Sequence, residues 1–359
     1  MKIQTRVILL IGGALLTGAI PAPAQDASQQ IKAQFERIRT ITQSAPADNA
    51  IWKQVKPDIE KSMAQGEENL KKGRLYEALN ELDQSQTAIA LGMGPGAEVL
   101  KKGMPAFDEQ WKQAAAEVEA RTKEARARNW AGVPAAVQAI SQESLTEATP
   151  LVEGGRGFAV AAGPESGYYY LGEAKARAEF YEFSSGLRMG APAAPFAGRS
   201  MLFEVQQLQQ KALAAFQPPK SIDLHPQFIR LNAALKLAGE LDASGFYAGS
   251  LYAYLSALRQ YGMLDATVPN ADQRKDLMRK LSEAEDRVKH SKADDSIAQL
   301  YIERATALVE TKNVDDWKNV KVIVEQVLPA YYAARAAAPE QVAKNQKVVT
   351  LTLVRWPYT

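Results

Sequence analysis

Apolar residues recur at spacings of three and four along most of the 359-residue chain, which is the pattern of amphipathic helices. The connecting segments are short and rich in Gly, Pro and Asn-Asp turns. The pattern predicts helices over 28–44, 48–72, 75–91, 105–128, 133–149, 166–186, 199–216, 226–243, 246–261, 270–290, 293–311 and 315–337. Because the connections are short, neighbouring helices should pack as antiparallel hairpins. We therefore predict an all-α fold, either a repeat-like α-solenoid or a large helical bundle.

Two Gly-rich stretches interrupt this helical pattern. The first, 153–167, reads EGGRGFAVAAGPESG, and the second, 190–198, reads GAPAAPFAG. The first stretch separates N-terminal helical hairpins over 25–152 from a C-terminal helical region over 168–340. It is either a linker between two domains or a long loop inside one continuous array, and the sequence favours neither.

The C-terminal tail, 341–359, has a different character. Residues 347–356 (KVVTLTLVRW) are rich in β-branched side chains that alternate between apolar and polar, which predicts a short β-strand. A strand needs a partner for its backbone groups. The segment 158–162 (FAVAA) is also strand-like, so the tail pairs with it, adds a strand to a partner protein, or lies over the helices.

The N-terminus has the three parts of a secretory signal. Two basic residues precede a charge-free apolar run over 7–20, and the small residues Ala22 and Ala24 follow it. The run is shorter than the roughly 20 residues that a membrane-crossing helix needs. We expect residues 1–24 to be a signal peptide cleavable before Gln25. The mature protein is then exported, either periplasmic or secreted, and has no membrane span.

Composition excludes several kinds of site. The chain has no Cys, which rules out disulfides, thiolate nucleophiles and zinc-thiolate centres. His225 and His290 have no neighbouring residues that complete a catalytic or metal-binding set, so we predict no catalytic residue, metal site or cofactor. The chain has 43 Lys and Arg against 41 Asp and Glu, and Lys2 and Arg6 belong to the signal. The mature chain is thus formally neutral and has no bias toward nucleic acid.

Two segments share one spacing. In each, a turn glycine precedes residues at offsets of two, five, six and nine: Gly73 with Leu75, Ala78, Leu79 and Leu82, and Gly245 with Tyr247, Ser250, Leu251 and Tyr254. This spacing resembles the helix-turn-helix of tetratricopeptide repeats, where a small residue five after the glycine lets the second helix pack closely. Residues 168–172 (YYYLG), ending in Gly172, are similar to the first-helix signature of that family. The two segments lie 172 residues apart, whereas the usual period is about 34, and the closing proline of a typical repeat is absent.

The resemblance implies a surface that binds a protein or peptide partner. Aromatic residues cluster in the same helices, and aromatic side chains are effective in recognition. The candidate partner-binding residues are Tyr168, Tyr169, Tyr247, Tyr252 and Tyr254. We therefore expect an exported, non-catalytic interaction or scaffold protein. Two alternatives stay open: a secreted α/α-toroid carbohydrate-active enzyme, a lyase or glycosidase working through carboxylates, Tyr and Arg, and a small-ligand binder.

Overall fold

The computed structural model describes residues 27–44, 50–93, 100–187, 189, 194–217, 222–311 and 313–336. Its helices are α1 Ala27–Ser44, α2 Ala50–Lys71, α3 Leu75–Met93, α4 Gly103–Ala127, α5 Ala135–Ala162, α6 Pro164–Ser185, α7 Leu202–Ala215, α8 His225–Ala243, α9 Tyr247–Gly262, α10 Ala271–Lys289, α11 Ser296–Glu310, α12 Asp316–Val322 and α13 Leu328–Ala336. A 3₁₀ turn, Ile222–Leu224, precedes α8, and a π turn, Ile323–Val327, joins α12 to α13. The prediction of an all-α fold is confirmed.

Helices that are adjacent in sequence pack in pairs, α2 with α3, α5 with α6 and α8 with α9. The pairs then contact one another, since α5 packs on α9, α3 on α6 and α11 on α3. One apolar cluster runs through these contacts and includes residues from Ile31 to Tyr331. Smaller clusters hold α4 against α5 and α6. The result is a bundle of hairpins around a shared core.

The turns that close α2 with α3 and α8 with α9 have the same geometry. Gly73 has φ +72° and Gly245 has φ +76°, a left-handed conformation that glycine adopts without a steric penalty. In each turn, the residue after the glycine donates its backbone N–H to the carbonyl five residues earlier, at 2.9 Å. This is the Schellman arrangement of helix ends. Both glycines therefore lie at the turn of a hairpin, as their spacing predicted.

The residues at offset five from these glycines are fully buried in the helix pairs. Ala78 and Ser250 have no exposed surface, and Leu79 and Leu251 beside them are buried as well. The Ser250 hydroxyl donates to the carbonyl of Ala238 at 3.0 Å, which joins α9 to α8. Gly172 lies in α6, where a Cβ would come within 3.5 Å of a carbonyl of α3. The small side chains thus permit close packing, and the tetratricopeptide resemblance itself stays a prediction.

The Gly-rich stretch 153–167 is not a loop, and its prediction as a loop or linker was wrong. Helix α5 extends through most of it, and α6 begins directly after Gly163, whose φ is +98°. A Cβ on Gly167 would lie 2.5 Å from the ring of Phe107 and 2.7 Å from the Cβ of Ala159. The small residues therefore let α4, α5 and α6 approach closely, and this packing outweighs the cost of about 1 kcal/mol for each helical glycine. The segment 158–162 is helical, so its strand-like interpretation was wrong too.

Some predicted features lie outside the described residues. They are the signal peptide with Ala22, Ala24 and Gln25, and the strand over 347–356. Within the described ranges, none of the helices combines the length and apolar character needed to cross a membrane.

Candidate functional site

A cavity of about 1270 Å³ opens between α2, α3, α5, α6, α8, α9, α11 and α12. Seven acidic and seven basic side chains line it, together with amide and hydroxyl groups. Buried charges are costly unless they are paired. The arrangement of these charges therefore determines what the cavity can bind.

The wall that α3 contributes is a polar stripe on an otherwise buried helix. Glu77, Asn80, Glu81 and Gln84 line the cavity, and their spacing of three and four places them on one helix face. The apolar residues between them are fully buried in the core. Helix α3 thus joins the hydrophobic core to a charged surface inside the protein.

One end of the cavity is acidic. Arg177 of α6 forms an ion pair with Glu147, and Ser144 donates to Asp83 at 2.9 Å. Glu143 of α5, one turn before Glu147, has no hydrogen bond or ion pair with any described residue. Burial raises the pKa of all three carboxyl groups, and for Glu143 the nearby Glu147 and Asp83 raise it further. Three carboxyl groups thus lie near one guanidinium.

An ion pair crosses the middle of the cavity. Arg304 of α11 places Nη2 3.0 Å from Oε2 of Glu77, and both side chains are largely buried. Burial alone lowers the pKa of Arg304, but Glu77 and neighbouring groups hold it well above the ordinary value. Tyr252 of α9 lies beside this pair and donates to Oδ1 of Asn80 at 3.2 Å. The middle of the cavity is therefore internally neutralised.

The other end is basic, and its cation is unpaired. Arg259 of α9 donates through Nη1 to Oδ1 of Asn319 at 3.0 Å, but its buried Nε has no hydrogen-bond partner. Among the described residues, no carboxylate forms an ion pair with it. Burial lowers the pKa of Arg259, and the charge of Arg304 lowers it further. The protein thus keeps a guanidinium in the cavity wall without compensating its charge.

Two more cavity-lining groups are incompletely bonded. Nδ2 of Asn80 and Oε2 of Glu81 are buried without a partner among the described residues. Burial raises the pKa of Glu81 to about 7, and the neighbouring Glu77 contributes to the rise. A native protein has few such atoms, and each calls for an explanation such as a water or ligand.

The five predicted tyrosines do not form one groove. Tyr168 is buried in α6 with its ring 5.1 Å from that of Phe107, and Tyr169 is half-buried beside it. Tyr247 is 39% exposed, and Tyr254 is half-buried, where burial raises its pKa to about 12. Of the five, Tyr252 lines the cavity. Most of these rings serve packing because they lie on different helix faces.

The acidic end has no geometry for a metal ion. Within the described parts of the chain, no three His, Asp or Glu side chains are arranged as metal ligands. His290 instead places Nδ1 2.7 Å from the carbonyl oxygen of Asp286 in its own helix.

Two sequence patterns indicate this site, but the prediction from aromatic clusters did not include them. Glu143 and Glu147 are like charges at an i,i+4 spacing, which destabilises an isolated helix, and no basic residue lies between them. Tyr252, Ser256 and Arg259 likewise share one face of α9. The convergence of these faces required the tertiary structure.

Comparisons with protein-family models, with curated proteins and with solved structures found no match to this chain. A function must therefore rest on the chemistry of the cavity.

Proposed function

We propose that this is an exported, non-catalytic binding protein that takes a polar ligand into its central cavity. The observation that carries the proposal is that two cavity-lining groups, Arg259 and Glu143, form no ion pair with any described residue. A buried charge without a partner costs several kcal/mol. Such groups concentrate at functional sites, where a ligand completes their interactions.

The size and walls of the cavity narrow the class of ligand. Small-molecule pockets are commonly about 300–1000 Å³ and mostly apolar, whereas this cavity is about 1270 Å³ and lined by charges. It has room for a short oligomer and its bound water. Apolar ligands are disfavoured because they would desolvate the charged walls without bonding to them.

The proposed ligand belongs to the class expected from the sequence, a protein or peptide, but its binding site differs from the expected one. A peptide or a segment of a protein would enter the cavity instead of a tyrosine-lined outer groove. Export is supported by the basic, apolar and small-residue order of the first 24 residues.

Thermal unfolding of the mature protein tests the proposal. We would compare a panel of amino acids, short peptides, oligosaccharides and organic anions, each at millimolar concentration. At least one polar class should raise the melting temperature, because a ligand that binds only the native state stabilises it. A panel of these classes without any shift would contradict the proposal.

A second candidate function is carbohydrate cleavage, and the raised pKa of several carboxyl groups favours it. Glycosidases pair a protonated carboxyl with an ionised one. Glu143 and Glu147 line the same cavity and both have raised pKa, and of the two only Glu147 forms an ion pair with a described residue, Arg177. Chromatography of oligosaccharides incubated with the protein separates the two functions. Binding alone leaves them intact, whereas an enzyme produces shorter products, and Glu143→Gln would abolish that activity.

A further inference from the structure

We infer that the ligand of this cavity is a zwitterion, with its anionic group at Arg259 and its ammonium group against Glu143. This inference rests on the proposed binding function and specifies the chemistry of its ligand. The molecules that fit best carry the two charges at opposite ends, as a short peptide with free termini does.

The anionic subsite is argued from unused donors. Arg259 donates to Asn319 through Nη1, and its Nε is buried without an acceptor. A guanidinium presents its donors in a planar fork that matches a carboxylate. Arg304 lies near enough to add its positive charge. Nη2 of Arg259 has no hydrogen-bond partner among the described residues, and Arg259 lines the cavity, so a carboxylate at this end would accept from Nη2 and neutralise the excess positive charge.

The cationic subsite is argued from unneutralised acceptors. Arg177 is engaged by Glu147 and by Glu173, whose Oε1 lies 3.2 Å from its Nη2. Glu143 lines the cavity without a bonded partner in the described chain. An ammonium group has three donors and no acceptor, so it suits carboxyl oxygens that lack donors. Burial and the neighbouring Glu147 and Asp83 raise the pKa of Glu143, and a bound ammonium would lower it again.

The spacing of the subsites favours a peptide over a free amino acid. Gly249 of α9 donates its N–H to Oε1 of Gln142 at 3.0 Å, which places the neighbouring Glu143 beside the first turn of α9. Arg259 lies ten residues farther along that helix, a rise of roughly 15 Å. In an α-amino acid the ammonium and the carboxylate are attached to the same carbon atom, so they are too close together to reach both subsites. Gln84 and Ser256 also line the cavity and offer polar groups to a peptide backbone.

The test uses the mature protein and triglycine in four forms, free, N-acetylated, C-amidated and blocked at both ends, with pentaglycine as a longer probe. Isothermal titration should show the free peptide binding at least about tenfold more tightly than either singly blocked form, because each block removes a charged hydrogen bond. Equal affinity for all four forms would overturn the inference. This comparison needs no substitution, so it holds even where a variant folds poorly.

Two substitutions then assign the subsites. Arg259→Gln should abolish the preference for a free carboxylate and keep the preference for a free amine, and Glu143→Gln should do the reverse. Arg37→Gln is the matched control, because Arg37 is exposed on α1 and lies outside the lining of the cavity. An Arg259→Gln protein that still discriminates the acid from the amide would overturn the assignment. Binding of another polar class but of no peptide form would refute the zwitterion inference and leave the binding function standing, whereas absence of any ligand refutes the binding function.

Discussion

The guanidinium of Arg304 in α11 contacts both carboxylate oxygens of Glu77 in α3, with Nε at 3.0 Å and 3.1 Å. The two side chains are only 12% and 7% exposed. Glu303, the preceding residue in α11, also accepts the backbone N–H groups of Tyr76 and Glu77 at 3.0 Å. These contacts fix the C-terminal half of the chain to the first turn of α3, in the middle of the cavity.

Removing the negative partner of this pair should destabilise the protein strongly. In Glu77→Gln, the buried Arg304 loses its counter-charge, which costs about 3 kcal/mol or more. Urea unfolding followed by circular dichroism measures the change. Glu68→Gln is the control, because Glu68 is about half exposed and pairs with the exposed Lys72, so its loss should have little effect on stability. Equal effects of the two substitutions would contradict the account of a buried pair.

The turn glycines should tolerate alanine poorly although space is available. A Cβ on Gly73 or Gly245 meets no atom within 4 Å, but both residues have positive φ. Gly73→Ala and Gly245→Ala should each lower the free energy of unfolding by about 1–2 kcal/mol through backbone strain.

Gly157 is the matched control for these turns. It lies inside α5, and a Cβ there also meets no atom within 4 Å, while its φ is not positive. Gly157→Ala should raise stability by about 0.5–1 kcal/mol, because alanine loses less conformational entropy in a helix. Calorimetric melting of the three variants checks this difference in sign, and a destabilised Gly157→Ala would argue against a continuous α5.

Stability should fall as pH rises toward neutrality. Burial raises the pKa of Glu81 and of Glu303 from 4.5 to about 7, so the folded state binds these protons more tightly than the unfolded state. Their contribution is complete below the unfolded pKa and is lost as pH rises through the folded pKa. Each group then accounts for up to about 3 kcal/mol between roughly pH 4.5 and pH 7.

Urea unfolding at several pH values in this window measures the effect. Glu303→Gln keeps an oxygen for the N–H groups of Tyr76 and Glu77, so it should flatten the pH dependence without unfolding the protein. The lowered pKa of Glu310, about 2, arises chiefly from its hydrogen bond with Arg74, and its contribution is lost at more acidic pH. Stability that increases from about pH 5 to pH 8 would contradict the buried-carboxyl account.

Asp294 should stabilise α5 as well as α11, the helix that follows it in sequence. Its Oδ2 accepts the N–H of Ala135 at 2.7 Å at the start of α5, and its Oδ1 accepts the N–H of Ser296 at 3.1 Å. Asp294→Ala should cost about 2 kcal/mol, because it leaves buried donors of two helices unsatisfied. Asp272→Ala, in the exposed first turn of α10, should cost less than about 1 kcal/mol. Similar melting temperatures for both variants would rule out this capping role.

The sequence patterns correctly predicted those features, helices and turns, that depend on the spacing of residues along the chain. The helix positions and the turns at Gly73 and Gly245 follow from the spacing of neighbouring residues along the chain. The helix predicted over 293–311 places Asp294 and Asp295 at its start, and the observed α11 begins directly after them, at Ser296. That Asp294 also caps α5 depends on tertiary packing and was not predictable from local spacing.

The wrong predictions arose because local spacing along the chain does not determine tertiary packing. The glycines of 153–167 predicted a loop or linker because glycine has a low helix propensity, whereas here they let α5 and α6 pack closely. The tyrosines were grouped because they are close in sequence, but successive helix residues point in different directions. Arg259 and Glu143 belong to separate helices, so their common cavity emerges from the way the hairpins pack.

The most direct test of a binding cavity is to fill it. Ala307 of α11 lines the cavity, and Ala307→Trp would occupy the space, whereas Ala33→Trp places the same ring on an exposed position of α1. Titration calorimetry with the polar ligand that most raises the melting temperature should show about 100-fold weaker binding to Ala307→Trp and unchanged binding to Ala33→Trp. A folded Ala307→Trp protein with full affinity would contradict the central claim that the ligand binds in this cavity.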